Sequence, residues 1–268
     1  NAVQRAVKPE RILVGKINYH TALNKKLLSL YERFNCEILQ TDFESAELTK
    51  ISINLFLASS VTLTNYISES AKKINADWGF VRSALHSDKR IGKYAYLQPG
   101  LGLSGGNIER DVKSFEIISN NHNSITNLMQ IWTDINNRQK LWPSEIIKKN
   151  IDLTTNPKIC FLGLAYKENT DSIKNAPSIA NAVDLGCLIH GHDDFIFHDH
   201  LIHSIKKIDT IQEAICDAEA VVIFNNNKCY TSLSLSDFRL MSGNLIVDPI
   251  GVLFNKFDGD NYFNYFKL

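Results

Sequence analysis

The stretch Tyr96-Leu-Gln-Pro-Gly-Leu-Gly-Leu-Ser-Gly-Gly-Asn-Ile-Glu-Arg-Asp111 places four glycines, Gly100, Gly102, Gly105 and Gly106, within seven residues. Glycine is dense where a backbone needs positive φ or must approach a ligand closely. Successive exposed amides in such a turn make a nest for anions. Gly100-x-Gly102-x-x-Gly105 matches the dinucleotide fingerprint. That fingerprint requires an apolar strand before it and a helix after it, inside a βαβ unit. The stretch before it, His86 to Tyr94, is charged and short of apolar residues. The loop therefore reads as a substrate loop and not a nicotinamide site, with an ordinary tight turn as the other reading.

A parallel sheet is expected further along. Ile159-Cys-Phe-Leu-Gly163 is a buried-type strand, and Pro177 to Leu185 is a helix with proline in its first turn. Phe195 to Phe197 reads as a strand, Thr210 to Cys216 as a helix, and Ala220 to Phe224 and Asn244 to Val247 as strands. Strands alternating with helices predict a doubly wound parallel sheet. Ligands in such sheets bind beyond the carboxyl ends of the strands. Gly163-Leu-Ala-Tyr-Lys-Glu-Asn-Thr-Asp171 falls at that position.

Upstream, Glu44 to Ile74 contains neither proline nor glycine, and its apolar residues recur at threes and fours. This predicts one helix of about thirty residues, far above the mean length. Such a helix spans between domains, packs against a partner, or forms the central strut of a single-chain bundle. Asp77 to Leu85, Asp111 to Ile118, Ser124 to Asn137 and Ser144 to Lys149 read as shorter helices. The opening, with strands at Arg11 to Gly15 and Cys36 to Gln40 around a helix at Asn24 to Phe34, reads as the tail of an α/β domain. The expected fold class is α/β: an all-helical central domain with one long helix, then a doubly wound parallel-sheet domain. The expected divisions are residues 1–42, 43–150 and 157–268.

Composition narrows the function. The chain has 268 residues, 44% hydrophobic and 22% charged, enough for one large domain or two medium ones. Lys+Arg and Asp+Glu are equal at 29, so no general attraction to nucleic acid or a membrane surface is expected. No apolar run approaches the length that spans a bilayer. Cys36, Cys160, Cys187, Cys216 and Cys229 are dispersed without a C-x-x-C, which predicts reduced thiols and a cytoplasmic protein. No signal peptide is visible. The first residue is Asn1, not Met, so a fragment of a longer protein is expected. His190-x-His192 and His198-x-His200, with Asp193, Asp194 and Asp199, invite a metal reading, since a strand puts each pair on one face. They fall around a single strand among loops, and no metal is expected.

Three segments carry a resemblance. Glu44-Ser-Ala-Glu-Leu-Thr-Lys-Ile-Ser-Ile-Asn-Leu-Phe-Leu-Ala58 opens the long helix. Arg90-Ile-Gly precedes Pro99-Gly-x-Gly-x-x-Gly-Gly-Asn-x-x-x-Asp111. Phe161-Leu-Gly-Leu-Ala-Tyr-Lys-x-x-Thr-Asp171 follows the first buried strand. In this order the three resemble the UDP-glucose/GDP-mannose dehydrogenase family, over its helical middle domain and its C-terminal nucleotide-sugar domain. The resemblance implies an oxidoreductase that oxidises the C6 hydroxyl of a UDP- or GDP-sugar twice with NAD, giving a uronic acid. It also implies a place in polysaccharide biosynthesis and a homodimer paired through the long helix. The family needs no metal.

By this resemblance Lys50 and Asn54 are oxyanion and hydroxyl donors, one turn apart on one helix face. Asp111 orients water, and Asn107 stands where the family has its nucleophilic cysteine. Tyr96, Leu97, Gly102, Gly105 and Gly106 line the sugar and diphosphate, and Lys167 and the amides of its loop supply an anion site. Arg90 reaches the substrate of a neighbouring subunit, and Lys174 replaces an arginine at the cofactor side. Without the resemblance, Lys50 reads as a solvated helix charge, Lys167 as any loop lysine, Arg90 as the partner of Asp88, and Asp111 as the cap of the next helix. Asp248-Pro249-Ile250 stands where the family carries a substrate arginine. NAD is expected to bind mainly to a domain outside this sequence. An amide is not a useful nucleophile, so impaired oxidation is expected. The alternative is a catalytically inactive homologue that binds a nucleotide sugar or serves as a dimerisation module.

Overall fold

The computed structural model describes residues 2–18, 20–119, 123–197 and 202–268. They form two compact units, residues 1–56 and 57–268, and the division falls inside one long helix. The first unit holds α1 (Ala2–Val7), β1 (Arg11–Lys16), α2 (Lys25–Glu32), β2 (Glu37–Asp42) and the first part of α3 (Phe43–Lys73). β1 and β2 pair in parallel, Arg11 opposite Glu37, with α2 as the crossover. Asn24 caps α2, its Oδ1 accepting from the Lys26 amide at 2.9 Å. β1 meets α3 at Gly15, where a Cβ would lie 2.9 Å from the Phe43 ring.

The second unit begins with helices: the rest of α3, then α4 (Trp78–Ser87), α5 (Asn107–Ile118), α6 (Asn123–Lys140) and α7 (Trp142–Asn150). The sheet segment follows as β3 (Ile159–Leu162), α8 (Pro177–Leu185), β4 (Ile189–His192), β5 (Ile205–Lys207), α9 (Ile211–Ile215) and β6 (Ala220–Ile223). It closes with α10 (Lys228–Thr231), α11 (Leu235–Phe238), β7 (Leu245–Val247), α12 (Phe254–Phe257) and β8 (Asn264–Phe266). The strand order is β5-β4-β3-β6-β7-β8, with every pairing parallel. The chain leaves β3 towards β4 and β5, then returns to the other side of β3 for β6. The switch point, where ligands gather in such sheets, lies between β3 and β6.

Period-two alternation sorts the strand side chains between two faces. Ile159, Phe161, Ala220, Val222, Leu245 and Val247 pack with Ile147 of α7 and Ala182 and Leu185 of α8. Cys160, Leu162, Val221, Ile223 and Ile246 pack with Ala214, Ile215, Phe238 and Phe257 from the opposite helices. A parallel sheet covered on both faces reads as continuous apolar runs, as β3, β6 and β7 do.

The α/β class, the long helix and the parallel sheet agree with the sequence reading. Two expectations are corrected. Phe195 to Phe197 is not a strand; the strand is β4, which ends three residues earlier at His192, and the chain bends after it because the Phe195 amide donates to Asp193 Oδ1 at 2.9 Å. Asp111 does not start its helix: α5 begins at Asn107, and Asp111 lies a turn inside it. Among the described residues, no helix is long and apolar enough to cross a membrane.

The double-faced sheet gives a stability expectation. Phe161 has no exposed surface and meets Phe224 edge-on at 4.8 Å between ring centres. Phe161→Ala should cost about 3–5 kcal/mol in denaturant unfolding. A loss below about 1 kcal/mol would show that β3 is not the centre of this core.

Candidate functional site

In the second unit the glycine loop is held by side chains reaching it from three segments. Thr64 and Asn65 are buried in the middle of α3, where such residues are poor helix formers. Thr64 Oγ1 donates to the Tyr96 carbonyl at 2.9 Å, and Asn65 Oδ1 accepts from the Gly100 amide at 2.9 Å. From α6, Asn136 Oδ1 accepts from the Leu103 amide, while its Nδ2 donates to the Leu103 carbonyl at 3.4 Å. Gly102, at φ +74°, has no room for a side chain, because a Cβ would collide with Asn136. From the segment between β3 and α8, Asn175 Nδ2 donates to the Gly105 carbonyl and to Glu109 Oε2, both at 3.2 Å.

Asn175 is itself oriented by a buried charge. Lys140, at the end of α6 and 4% exposed, donates to Asn175 Oδ1. Burial draws the Lys140 pKa below its ordinary value, and the Glu109 carboxylate partly offsets this. An ammonium that deep is tolerated only with partners, and here those partners fix the loop.

The same loop meets the turn after β3. At Gly105, with φ +76°, a Cβ would lie 3.0 Å from the Tyr166 ring; at Gly106 it would lie 2.8 Å from Lys174 Cε and 2.9 Å from its Nζ. Ser104 Oγ donates to the Tyr166 carbonyl at 3.4 Å. The structure therefore brings Gly105, Gly106 and Lys174 together, with Tyr166 between them and Lys167. Lys167 is exposed, its ammonium 5.2 Å from the Tyr166 ring centre.

α5 starts directly from this loop. Gly106 has no side chain to cap it, and Asn107 is exposed in its first turn. Asp111 is 4% exposed, and its Oδ1 accepts from Arg110 Nε and Nη2, each at 3.3 Å. Tyr96 and Leu97 border an open cleft of about 760 Å³, lined also by Arg82, His86, Tyr94 and Gln98. Arg90 pairs with Asp88, Nη2 to Oδ2 at 2.7 Å, and this contact lowers the Asp88 pKa. Lys50 and Asn54 lie one turn apart on α3 in the first unit, Lys50 exposed and Asn54 half-buried.

One expectation is corrected here. Of the amides after β3, those of residues 163–166 are held within the protein and are not open to an anion. Gly163 N donates to the His192 carbonyl at 2.9 Å and Tyr166 N to the Ser172 carbonyl at 3.1 Å. Leu164 N and Ala165 N both donate to Asp193 Oδ2, at 2.8 and 3.0 Å.

Four of the five thiols are not poised to act. Burial pushes the Cys160 thiol far up, and Cys229 is pushed up to about 12 by burial and then by the Asp194 carboxylate. Cys187 is raised by burial and Cys216 by its bond to Asp217. None of these four is a ready thiolate at neutral pH. His190 and His192 share one face of β4, and no group of three His, Cys, Asp or Glu converges among the described residues. His198, Asp199 and His200 lie outside those residues.

The sequence reading missed Thr64, Asn65, Asn136, Lys140 and Asn175, and named Asp193 only in the metal reading. The available signal was the run of buried polar residues in an otherwise apolar helix stripe: Thr62, Thr64, Asn65 and Ser68.

Comparison with known proteins follows the same two segments. Residues 44–138 match the model of the UDP-glucose/GDP-mannose dehydrogenase family, central domain, and residues 160–255 match its UDP binding domain. The UDP-glucose 6-dehydrogenase YwqF of Bacillus subtilis is 30% identical over 256 residues, covering 92% of this chain and 57% of that protein. Two solved structures share the fold. One is a UDP-glucose dehydrogenase from Pyrobaculum islandicum, with TM-score 0.78 and 24% identity, covering 92% of this chain and 57% of that one. The other is a UDP-D-ManNAc dehydrogenase from Pyrococcus horikoshii, with TM-score 0.79 and 20% identity, covering 99% and 61%. The chain thus spans little more than half the length of the relatives it matches.

The two adjacent glycines should differ in tolerance. Gly105→Ala combines a positive φ with a rigid ring at 3.0 Å, and should cost at least about 1–2 kcal/mol. Gly106→Ala meets the flexible end of Lys174, which can move aside, and should cost under about 1 kcal/mol. Denaturant unfolding of both variants checks this; equal losses would mean that the loop does not pack on Tyr166.

Proposed function

The chain belongs to the UDP-glucose/GDP-mannose dehydrogenase family, and on that premise we propose that it forms the helical and nucleotide-sugar-binding parts of an NAD-dependent enzyme oxidising the C6 hydroxyl of a UDP- or GDP-sugar. The observation that carries this reading is the contact of the glycine loop with the turn after β3, Gly105 on Tyr166 and Gly106 on Lys174. Two segments far apart in sequence, each a family motif, meet at one place near the switch point of a parallel sheet. Tyr96, Leu97, Gly102, Gly105 and Gly106 would line the sugar and diphosphate, with the Lys167 side chain as a phosphate partner. Arg90 would leave Asp88 to reach the substrate of a neighbouring subunit.

The described residues do not fit a dinucleotide. The end of β1 and the turn that follows it, Gly15-Lys16-Ile17-Asn18, have one glycine where a pyrophosphate cradle needs several. That glycine is filled by Phe43. NAD is therefore assigned to a domain beyond these residues, with Lys174 as this chain's contribution beside the glycine loop. A cytoplasmic setting and polysaccharide biosynthesis belong to the same reading.

In the proposed chemistry Lys50 and Asn54 donate hydrogen bonds to the oxygen on the reacting carbon, and Asp111 orients water. Asn107 sets the limit. Its carboxamide cannot add to an aldehyde as a thiolate does, so no thioester forms and acid production is impaired. The raised thiols of Cys160, Cys187, Cys216 and Cys229 offer no substitute. This same residue favours a second reading, a catalytically inactive homologue that binds a nucleotide sugar or serves as a dimerisation module. α3 suits pairing of two copies: Leu63 and Ile67 are exposed one turn apart on it.

The experiment is Asn107→Cys in the full-length protein, with UDP- and GDP-sugars, NADH counted per sugar and the product identified by mass. Acid formation should rise by up to roughly a million-fold, the cost of removing a covalent nucleophile elsewhere. Two NADH and a uronate from the unaltered protein would remove Asn107 from the account. For the pairing, sedimentation at micromolar concentration should give a dimer burying roughly 800 Å² per partner; a stable monomer would refute it.

A further inference from the structure

A turn that follows the first strand of a doubly wound sheet ordinarily offers its amides to a ligand phosphate. In this protein four consecutive amides of that turn, Gly163 to Tyr166, are taken by the His192 carbonyl, by Asp193 Oδ2 twice, and by the Ser172 carbonyl. The Leu164 carbonyl is also occupied, accepting from Ser178 Oγ at 2.5 Å. Asp193 is 3% exposed and stands just beyond β4, the strand paired with β3. One of its oxygens receives two adjacent amides while the other receives Phe195 N at 2.9 Å. A phosphate oxygen in a nest is bound in the same way, by successive amides converging on one anionic oxygen.

We propose that Asp193 is the resident anion of the β3 turn: it occupies the place of a phosphate, excludes a ligand diphosphate from these amides, and positions the turn that carries Tyr166 and Lys167. The inference rests on the nucleotide-sugar reading only for its consequence: a diphosphate must then be read by side chains such as Lys167 and by the glycine loop. The neighbours support a built site. His192, 4% exposed, lies with Nδ1 3.0 Å from the Tyr230 oxygen, while the Tyr230 hydroxyl donates to the His192 carbonyl at 2.8 Å. The turn's first acceptor is therefore itself tied down. On the other side of the switch point, Gly163 is closed by Asn225, whose amide nitrogen would lie 2.5 Å from any Cβ there.

The test replaces the built-in carboxylate with a free anion. The 268-residue chain and its Asp193→Ala variant are melted in rising inorganic phosphate, against potassium chloride of equal ionic strength. The variant should melt roughly 5 °C or more below the parent, and phosphate should restore part of that loss saturably, with no such effect on the parent. A parent stabilised by phosphate through an effect that Asp193→Ala abolishes would overturn the proposal, as would a folded variant indifferent to phosphate. Should the variant not fold, hydrogen exchange of the parent decides. Leu164 and Ala165 amides that exchange slowly, at a rate unchanged by UDP, support the proposal; fast exchange slowed by UDP overturns it. Calorimetry with UDP on the parent runs in parallel. Absence of UDP binding counts against the nucleotide-sugar reading, while phosphate rescue of the variant still decides the role of Asp193.

Discussion

A loop of four glycines in seven residues has few side chains with which to hold its own shape, so its shape must be imposed from outside. In this protein the imposition is done largely by asparagine. Asn65 takes the Gly100 amide, Asn136 takes the Leu103 amide, and Asn175 binds the Gly105 carbonyl. An asparagine side chain is a peptide group on a short stem, with a donor and an acceptor. It can complete a backbone hydrogen bond where no second strand is present. The three come from α3, α6 and the segment before α8, so the loop can take this form only when helices and sheet are assembled together.

The rest of the second unit follows from that constraint. α3 carries buried Thr64 and Asn65 at a cost in helix propensity because they hold the loop. Lys140 is kept almost fully buried because it orients Asn175. The double-faced core of β3, β6 and β7 supplies a rigid edge, and the β3 turn projects Tyr166 from that edge onto Gly105. α5 then leaves the loop with Asn107 and Asp111 in its first turns.

What could be read in the sequence follows from how locally each signal is encoded. β3, β6 and β7 were legible because both faces are buried and every residue is apolar or small. β4 was not, because His190 and His192 interrupt its apolar run, and the partner of His192, Tyr230, is far along the chain. Phe195 to Phe197 looked like a strand by composition, yet Asp193 bends the backbone there. The start of α5 is not legible because its cap is a glycine, which leaves no side-chain signal. At the site, the glycines and lysines were visible as types in a pattern. Asn65, Asn136, Asn175 and Lys140 were not, since a bond from a side chain to a distant backbone group leaves no mark on the residue at its other end.

The claim that asparagines shape the loop is tested most directly by native-state hydrogen exchange at the Gly100 and Leu103 amides. The account predicts slow exchange at both in the unaltered protein. Asn65→Leu should accelerate Gly100, and Asn136→Leu should accelerate Leu103, while the β3 amides keep their protection. Fast exchange at Gly100 and Leu103 in the unaltered protein, or variants that leave both rates unchanged, would contradict it.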